Sequence, residues 1–278
     1  MKCLLGGKRY GQVKAMKGLS DMGLGSDDSS QMATQAYVFM LVTIKDSWKL
    51  PLAYFFIDSI KADMKANLIK IALEKCNKIG VQIRTVTFDG CKSNIATMKN
   101  LGCELDDLQN LKTDLKHPSA EYNVVVCLDA CHMLKLMRNT FESKKVIHTT
   151  GEKSIRWQYL SELYNLQEEN CLHLANKLSH RHVHFKNQIM NVKLATQLLS
   201  RSVAKAIDFC NKTLNIPAFR ESENTIEFIE KLNDLFDILI ARSLDDYGFK
   251  HPMNKANSQK ILSLLSQMNS CGVGLRRW

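Results

Sequence analysis

Residues 81–94, VQIRTVTFDGCKSN, constrain the fold more than any other stretch of this chain. An alternating run of Val81, Ile83, Thr85, Val86 and Phe88 stops at Asp89-Gly90, and helical residues follow from about Ser93. Such a pattern predicts a buried strand that delivers one carboxylate to its C-terminal tip, then a tight turn, then a helix. In open α/β sheets that tip is where ligands and metals gather. The question for the rest of the chain is which other acids join Asp89.

The flanking segments supply a sheet. Residues 37–44, YVFMLVTI, read as a strand buried on both faces, residues 45–47 as a hairpin turn, and residues 48–58, WKLPLAYFFID, as the partner strand. So short a connection makes the pair antiparallel. Pro51 cannot donate to a ladder, which predicts an edge or a bulge there. Residues 63–79 form an amphipathic helix with Leu68, Ile69, Ala72, Leu73 and Cys76 on its apolar stripe, and Gly80 stops it. A second helix runs from about Ser93 to Leu101, with Ser93 or Asn94 as its cap and Gly102 as its end. Residues 103–121 are a polar excursion. Residues 124–128, VVVCL, form another buried strand that ends at Asp129, and a helix with basic positions, CHMLKLMRNTF, follows over residues 131–141.

After about Thr140 the pattern changes. Residues 155–169, 172–184, 188–214, 225–242 and 258–268 all read as helices, with no further convincing strand. The expected architecture is α/β plus all-α, with a boundary or a large insertion near residues 130–150. Residues 18–28, GLSDMGLGSDD, look like a strand end followed by a loop.

Charge narrows the partners. Lys plus Arg number 38 against 28 Asp plus Glu, a formal net charge of +10 and a pI of about 9.1. A globular chain this basic points to a polyanion, nucleic acid first. The nine cysteines are odd in number and irregular in spacing, as expected of reduced thiols in cytosol or nucleus. No run of about 18 apolar residues predicts a membrane span. The opening residues, MKCLLGGKRYG, are too short and polar for a signal-peptide core. There is no Walker A loop and no G-x-G-x-x-G.

Asp89 and Asp129 each end a buried strand. Two carboxylates on neighbouring tips would hold Mg2+ or Mn2+, hard ions that take oxygen ligands. Such a site supports phosphoryl transfer by two metals. An Asp after a strand equally caps the next helix, and both readings stay open for Asp129. His132, three residues on, either faces Asp129 across the first helical turn or is a satisfied core or cap histidine. Cys127, Cys131 and His132 lack a second pair to complete a zinc set. His180, His182 and His184 would scatter to different faces of a helix, which predicts a solvated surface for them. Two groups of cations, Lys135, Arg138, Lys144 and Lys145, then Lys177, Arg181, Lys186 and Lys193, either suit phosphate contacts or lie on ordinary solvated helix faces.

Several runs, in order and spacing, carry a resemblance. They are YVFMLV at 37–42, WKLPLAYFFID at 48–58, Ala66-Asn67-Leu68, TFDGCKSN at 87–94, and Leu101-Gly102-Cys103. DACHMLKLMRN at 129–139, QEENCLHLANKL at 167–178, VKLATQL at 192–198 and FIEKLNDLFDILIAR at 228–242 complete the set. The chain resembles P-element-type transposases, in particular the THAP-domain branch, from about Asp21 onward. The resemblance implies a partial RNase H-like mixed sheet over residues 1–130 and a helical GTP-binding-type insertion over 131–278. It implies that Asp89 is the second carboxylate of a D-D-E/D metal site using Mg2+ or Mn2+. It also implies that Asp129 and His132 form the D-x-x-H signature near it, and that Phe236 and Asp237 are the Phe-Asp pair associated with guanine recognition. DNA, and either a second copy or an intact transposase, are the implied partners, in the nucleus.

The chain also departs from that pattern. Ile240 and Ala241 replace the Asn and Ser of the family's F-D-x-x-N-S-R run, which bears on GTP. Residues 1–17 hold no Asp or Glu, where the first catalytic carboxylate is expected, and Asp21 matches a non-catalytic position. The last catalytic acid and the zinc-binding THAP domain are also missing from the sequence. The expectation is a fragment of a DNA cleavage and strand-transfer enzyme that is inactive alone. The alternative is a domesticated, non-enzymatic DNA- or GTP-binding module.

Overall fold

A computed structural model describes residues 2–8, 32–44, 48–107, 109–149, 153–171, 173–174 and 176–270. The expected turn at 45–47 and the reading of residues 18–28, Asp21 included, lie outside the described residues. The chain divides into two compact units, Met1–Asp129 and Ala130–Trp278.

The first unit is built on a six-stranded mixed sheet. Its strands are β1 (Lys2–Lys8), β2 (Gln35–Val42), β3 (Lys49–Ile57), β4 (Thr85–Phe88), β5 (Asp114–Lys116) and β6 (Asn123–Leu128), in the order β3-β2-β1-β4-β6-β5. β2 pairs antiparallel with both β1 and β3, while β4 lies parallel to β1 and to β6. β3 is an edge strand, and its register with β2 shifts between Phe39 and Met40, opposite Pro51. That is where a residue without an N–H is tolerated. β5 is a three-residue edge strand within the stretch expected to be a polar excursion; it pairs antiparallel with β6.

Two helices, α1 (Ala62–Lys78) and α2 (Lys92–Asn100), bury their apolar stripes against this sheet. Leu68, Ile69 and Leu73 of α1 and Met98 of α2 share one core with Tyr37, Phe39, Val86, Phe88, Val124 and Val126. Burying side chains of this size contributes about 1.5–3 kcal/mol each, so the sheet and its helices stand or fall together. Gly80, at φ +77°, ends α1 as its sequence predicts.

The second unit is mainly helical. α3 (Ala130–Lys144) leads to a small hairpin of β7 (Val146–His148) and β8 (Ser154–Arg156), closed where the Trp157 N–H donates to the Lys145 carbonyl at 2.8 Å. This hairpin corrects the expectation of no strand after residue 140; its strands of three residues each are too short to show a period. α4 (Gln158–Glu169), α5 (His180–Val183), α6 (Val192–Leu198), α7 (Arg201–Lys212), α8 (Glu223–Ile240) and α9 (Ser258–Ser270) follow. Phe141, Trp157, Leu160, Leu163, Leu198, Ile207, Phe228 and Ile229 are central to one core.

The helix expected over 172–184 is reduced to α5, and the one over 188–214 is broken into α6 and α7. Side chains explain the first change. Gln167 is buried, and its Oε1 accepts from the Leu174 N–H at 3.0 Å and from Asn176 Nδ2 at 2.8 Å. The Asn176 Oδ1 in turn accepts from the Leu178 N–H at 2.9 Å. These local bonds satisfy the backbone in a non-helical path.

Candidate metal-binding strand tips and nucleotide pocket

Because β4 and β6 run parallel with Phe88 opposite Leu128, the next residues, Asp89 and Asp129, emerge on adjacent tips. The Asp129 N–H donates to the Phe88 carbonyl at 2.8 Å, which extends the ladder by one bond and fixes the two tips in register. β1, parallel to β4 on its other side, has the sequence KCLLGGK and contributes no carboxylate.

A chain of hydrogen bonds runs behind Asp89. Asn94 Nδ2 donates to Asp89 Oδ1 at 2.7 Å, and Lys65 Nζ donates to Asn94 Oδ1 and to Ser93 Oγ, both at 3.0 Å. Lys65 is 8% exposed and lies 5.6 Å from the Tyr37 ring centroid. The buried ammonium thus reaches the carboxylate through one amide. The α2 cap differs from expectation: Cys91 occupies the N-cap position, and Asn94 turns back to Asp89 instead. The Cys91 N–H also donates to Asp89 Oδ1, at 3.4 Å. Burial pushes the Cys91 thiol pKa up, with Asp89 adding to the rise. Lys65, Asp89, Ser93 and Asn94 line a cleft of about 300 Å3 beside β2.

Asp89 and Asp129 are hard oxygen donors, and Mg2+ is commonly held by one or two carboxylates with water completing its shell. Two such donors on adjacent strand ends are of the chemical type that ion takes. Among the described residues no group of three His, Cys, Asp or Glu side chains could hold a metal. Asp129 closes the first unit, while His132 lies in the first turn of α3 in the second.

In the second unit, Phe236 and Asp237 lie on α8 and line a cavity of about 670 Å3, together with Asn233, Ile240, Ala241 and Lys250. Asn233 Nδ2 donates to Asp237 Oδ2 at 3.0 Å. Burial raises the Asp237 pKa, against the lowering effect of Lys250 and of the Asn233 bond. The cavity is large enough for a nucleotide, and its carboxylate suits a base edge rich in N–H donors. Its phosphate-binding capacity is weaker, since Lys250 is set against Asp237 and Asp246 in the lining.

The basic residues sort into two groups. Arg138 is completely buried: its Nε and Nη2 donate to Asn139 Oδ1 at 3.1 and 2.9 Å, Nη2 to the Ile189 carbonyl at 2.6 Å, and Nη1 to the Asn191 carbonyl at 3.3 Å. The guanidinium also stacks 3.9 Å from the Phe185 ring centroid. Burial lowers its pKa to about 10, so it remains charged at neutral pH. Arg138 and the buried Lys135 are therefore not phosphate contacts, contrary to the sequence expectation. Helical spacing carried the signal, because Arg138 falls on the stripe of Leu134 and Phe141. Lys145 pairs with Glu142 at 2.7 Å. His180 and His184 are exposed, as expected, with ring centroids 4.4 Å apart, whereas His182 is buried, contrary to the expectation of a solvated surface.

The two units define a class, an RNase H-like transposase domain followed by a GTP-binding-type insertion. One family model, "TNP-like, RNase H N-terminal domain", matches residues 9–102, and another, "TNP-like, GTP-binding insertion domain", matches residues 131–252. The chain belongs to the P-element/THAP-like transposase family. It is 30% identical over 264 residues to the human DNA transposase THAP9, covering 94% of this chain and 29% of that protein. It is 26% identical over 197 residues to the Transposable element P transposase of Drosophila melanogaster, covering 70% of this chain and 24% of that one. The chain thus spans less than a third of either relative. Its fold matches a chain of the Drosophila P element transposase strand transfer complex with a TM-score of 0.76 at 22% identity, over 97% of this chain and 58% of the other. Among the described residues no helix is long and apolar enough to cross a membrane.

Proposed function

We propose that this chain is a segment of a nuclear DNA transposase, in which Asp89 is a catalytic carboxylate and Asp129 lies next to it at a divalent-metal site. The observation that carries the reading is the parallel β4–β6 pair, whose adjacent tips end in Asp89 and Asp129. These two side chains would hold Mg2+ or Mn2+. Once bound, such an ion supplies Lewis-acid activation of the oxygens exchanged at a phosphodiester. The protein's own part is orientation. Asn94 fixes the Asp89 carboxylate, and Lys65 fixes Asn94 while supplying a compensating charge.

The described residues present two carboxylates at the tips, fewer than two metal ions need. The segment by itself is therefore expected to be inactive. Incubating the purified chain with Mg2+ and transposon-end DNA should give no cleavage or joining; turnover would overturn this. Binding of Mn2+ that is lost in Asp89→Asn would support the metal site.

A second reading, a domesticated DNA- or GTP-binding module, is favoured by the basic balance of the chain and by the cavity at Asp237. In this reading the Asp237 carboxylate accepts from the two N–H donors on the guanine edge. Titration with GTP and ATP tests it: GTP should bind more tightly, and Asp237→Ala should remove the preference. A chain with neither nucleotide affinity nor DNA affinity would sink this reading. Self-association, or association with an intact transposase, belongs to the same reading and is checked by sedimentation.

A further inference from the structure

Residues 170–207 contain no aspartate or glutamate, although Glu168, Glu169 and Asp208 flank the run directly. Six cations fall within it: Lys177, Arg181, Lys186, Lys193, Arg201 and Lys205. The fold treats them differently. Arg201 is neutralised by Glu230 and Asp234 on α8. Lys177, Arg181, Lys186 and Lys193 are all exposed, and among the described residues none has a carboxylate partner.

Hydrogen bonds tie the part of this stretch from α5 to α6 together. Arg181 on α5 donates to Gln188 Oε1 at 2.5 Å, joining α5 to the 3-10 turn Lys186–Gln188. The buried His182 ring meets Gln197 Oε1 of α6 at 3.1 Å. Beneath the turn, Arg138 holds the carbonyls of Ile189 and Asn191. Among the described residues Arg138 has no carboxylate partner, so its charge adds to that of the cations in this stretch. Exposed His180 and Asn187 add hydrogen-bonding groups, and Met190 is 65% exposed.

We propose that this stretch, which carries no acid of its own, docks the phosphate backbone of duplex DNA, with Lys177, Arg181, Lys186 and Lys193 as the phosphate contacts. The inference rests on the DNA-binding part of the reading above. Four separate cations carried on successive elements match a repeating row of anions. Lys186 lies on the turn whose following carbonyls Arg138 holds, and Arg181 and Lys193 lie on the helices on either side of it, so the backbone that carries these three is already ordered before binding.

The test is the salt dependence of duplex binding by the full chain. Removing four phosphate contacts in the variant K177Q/R181Q/K186Q/K193Q should reduce the slope of log affinity against log salt by about 3 to 4. A matched variant, K49Q/K70Q/K75Q/K78Q, removes the same charge from exposed lysines of the first unit and should keep the slope near wild type. Circular dichroism melts confirm that both variants fold. An unchanged slope in the first variant, or equal losses in both, overturns the inference while leaving DNA binding intact. If the wild-type chain binds no duplex at low salt, the DNA-binding reading itself fails, and the inference with it.

Discussion

Asn94 donates its side-chain amide to Asp89 at 2.7 Å while its own carbonyl accepts from Lys65 at 3.0 Å, so one residue ties a buried cation to a strand-tip anion. Lys65→Met removes both hydrogen bonds from the ammonium and strands the Asn94 carbonyl. We expect a loss of about 1–3 kcal/mol in urea unfolding. We also expect altered Mn2+ affinity, because the charge behind Asp89 is gone. Lys65→Arg, which keeps the charge but not the point geometry, should lie between the two. An unaltered denaturation midpoint in Lys65→Met would refute the network.

Arg138 should behave as a structural bolt. Arg138→Ala removes the guanidinium bonds to the carbonyls of Ile189 and Asn191 and opens a void beside Phe185. The expected cost is about 3 kcal/mol or more. Arg138→Lys should rescue little, since an ammonium cannot fork to two carbonyls and stack at once. A thermal melt of either variant that overlays wild type would rule out this role.

His182 predicts an acid sensitivity. Burial lowers its pKa below the ordinary 6.5, against the raising effect of its bonds to Gln197 and Ser179. The unfolded chain then binds this proton more readily than the folded one. The stability it leaves intact above pH 6.5 is lost as pH falls through the depressed folded value. Urea midpoints measured from pH 7.5 to 5 should fall for wild type and flatten for His182→Gln. Parallel curves for the two proteins would refute the assignment.

Asp237 predicts a trade of stability for binding. Its raised pKa means that the fold disfavours the ionised form, a cost present above the folded pKa and relieved as pH falls. Asp237→Asn should therefore raise the melting midpoint at neutral pH. If the guanine reading is correct, the same change weakens GTP by on the order of tenfold to a hundredfold. A lower melting midpoint would show that the carboxylate is structural.

Much of the first unit was legible because its signals are local. The alternation up to Phe88 and the Asp-Gly stop give β4 and its tip, and Pro51 marks the register shift of the edge strand. The layout of residues 171–179 was not legible, because it depends on Gln167 reaching forward to Leu174 and Asn176, a side-chain choice that no apolar period records. β5, β7 and β8 have three residues each, too few for alternation to show. At the candidate site, Asp89 and Asp129 stood out as strand ends. Lys65 did not, although it falls within the α1 stripe of Leu68 and Ile69. A charged residue on an apolar helical face was the missed signal for both Lys65 and Arg138.

The strand order has a consequence for how the first unit assembles. β2 and β3 form a hairpin that needs only nearby chain, whereas β1 is joined to β4 by pairing Lys2 with Thr85. The middle of the sheet is thus completed by its most distant partners in sequence, and such pairing is slow. During synthesis the hairpin and α1 can settle early, but the Asp89 tip gains its neighbour only after residue 129 has left the ribosome. Until then β4 offers an unpaired edge, and this interval is when the nascent chain is most exposed to pairing with another copy.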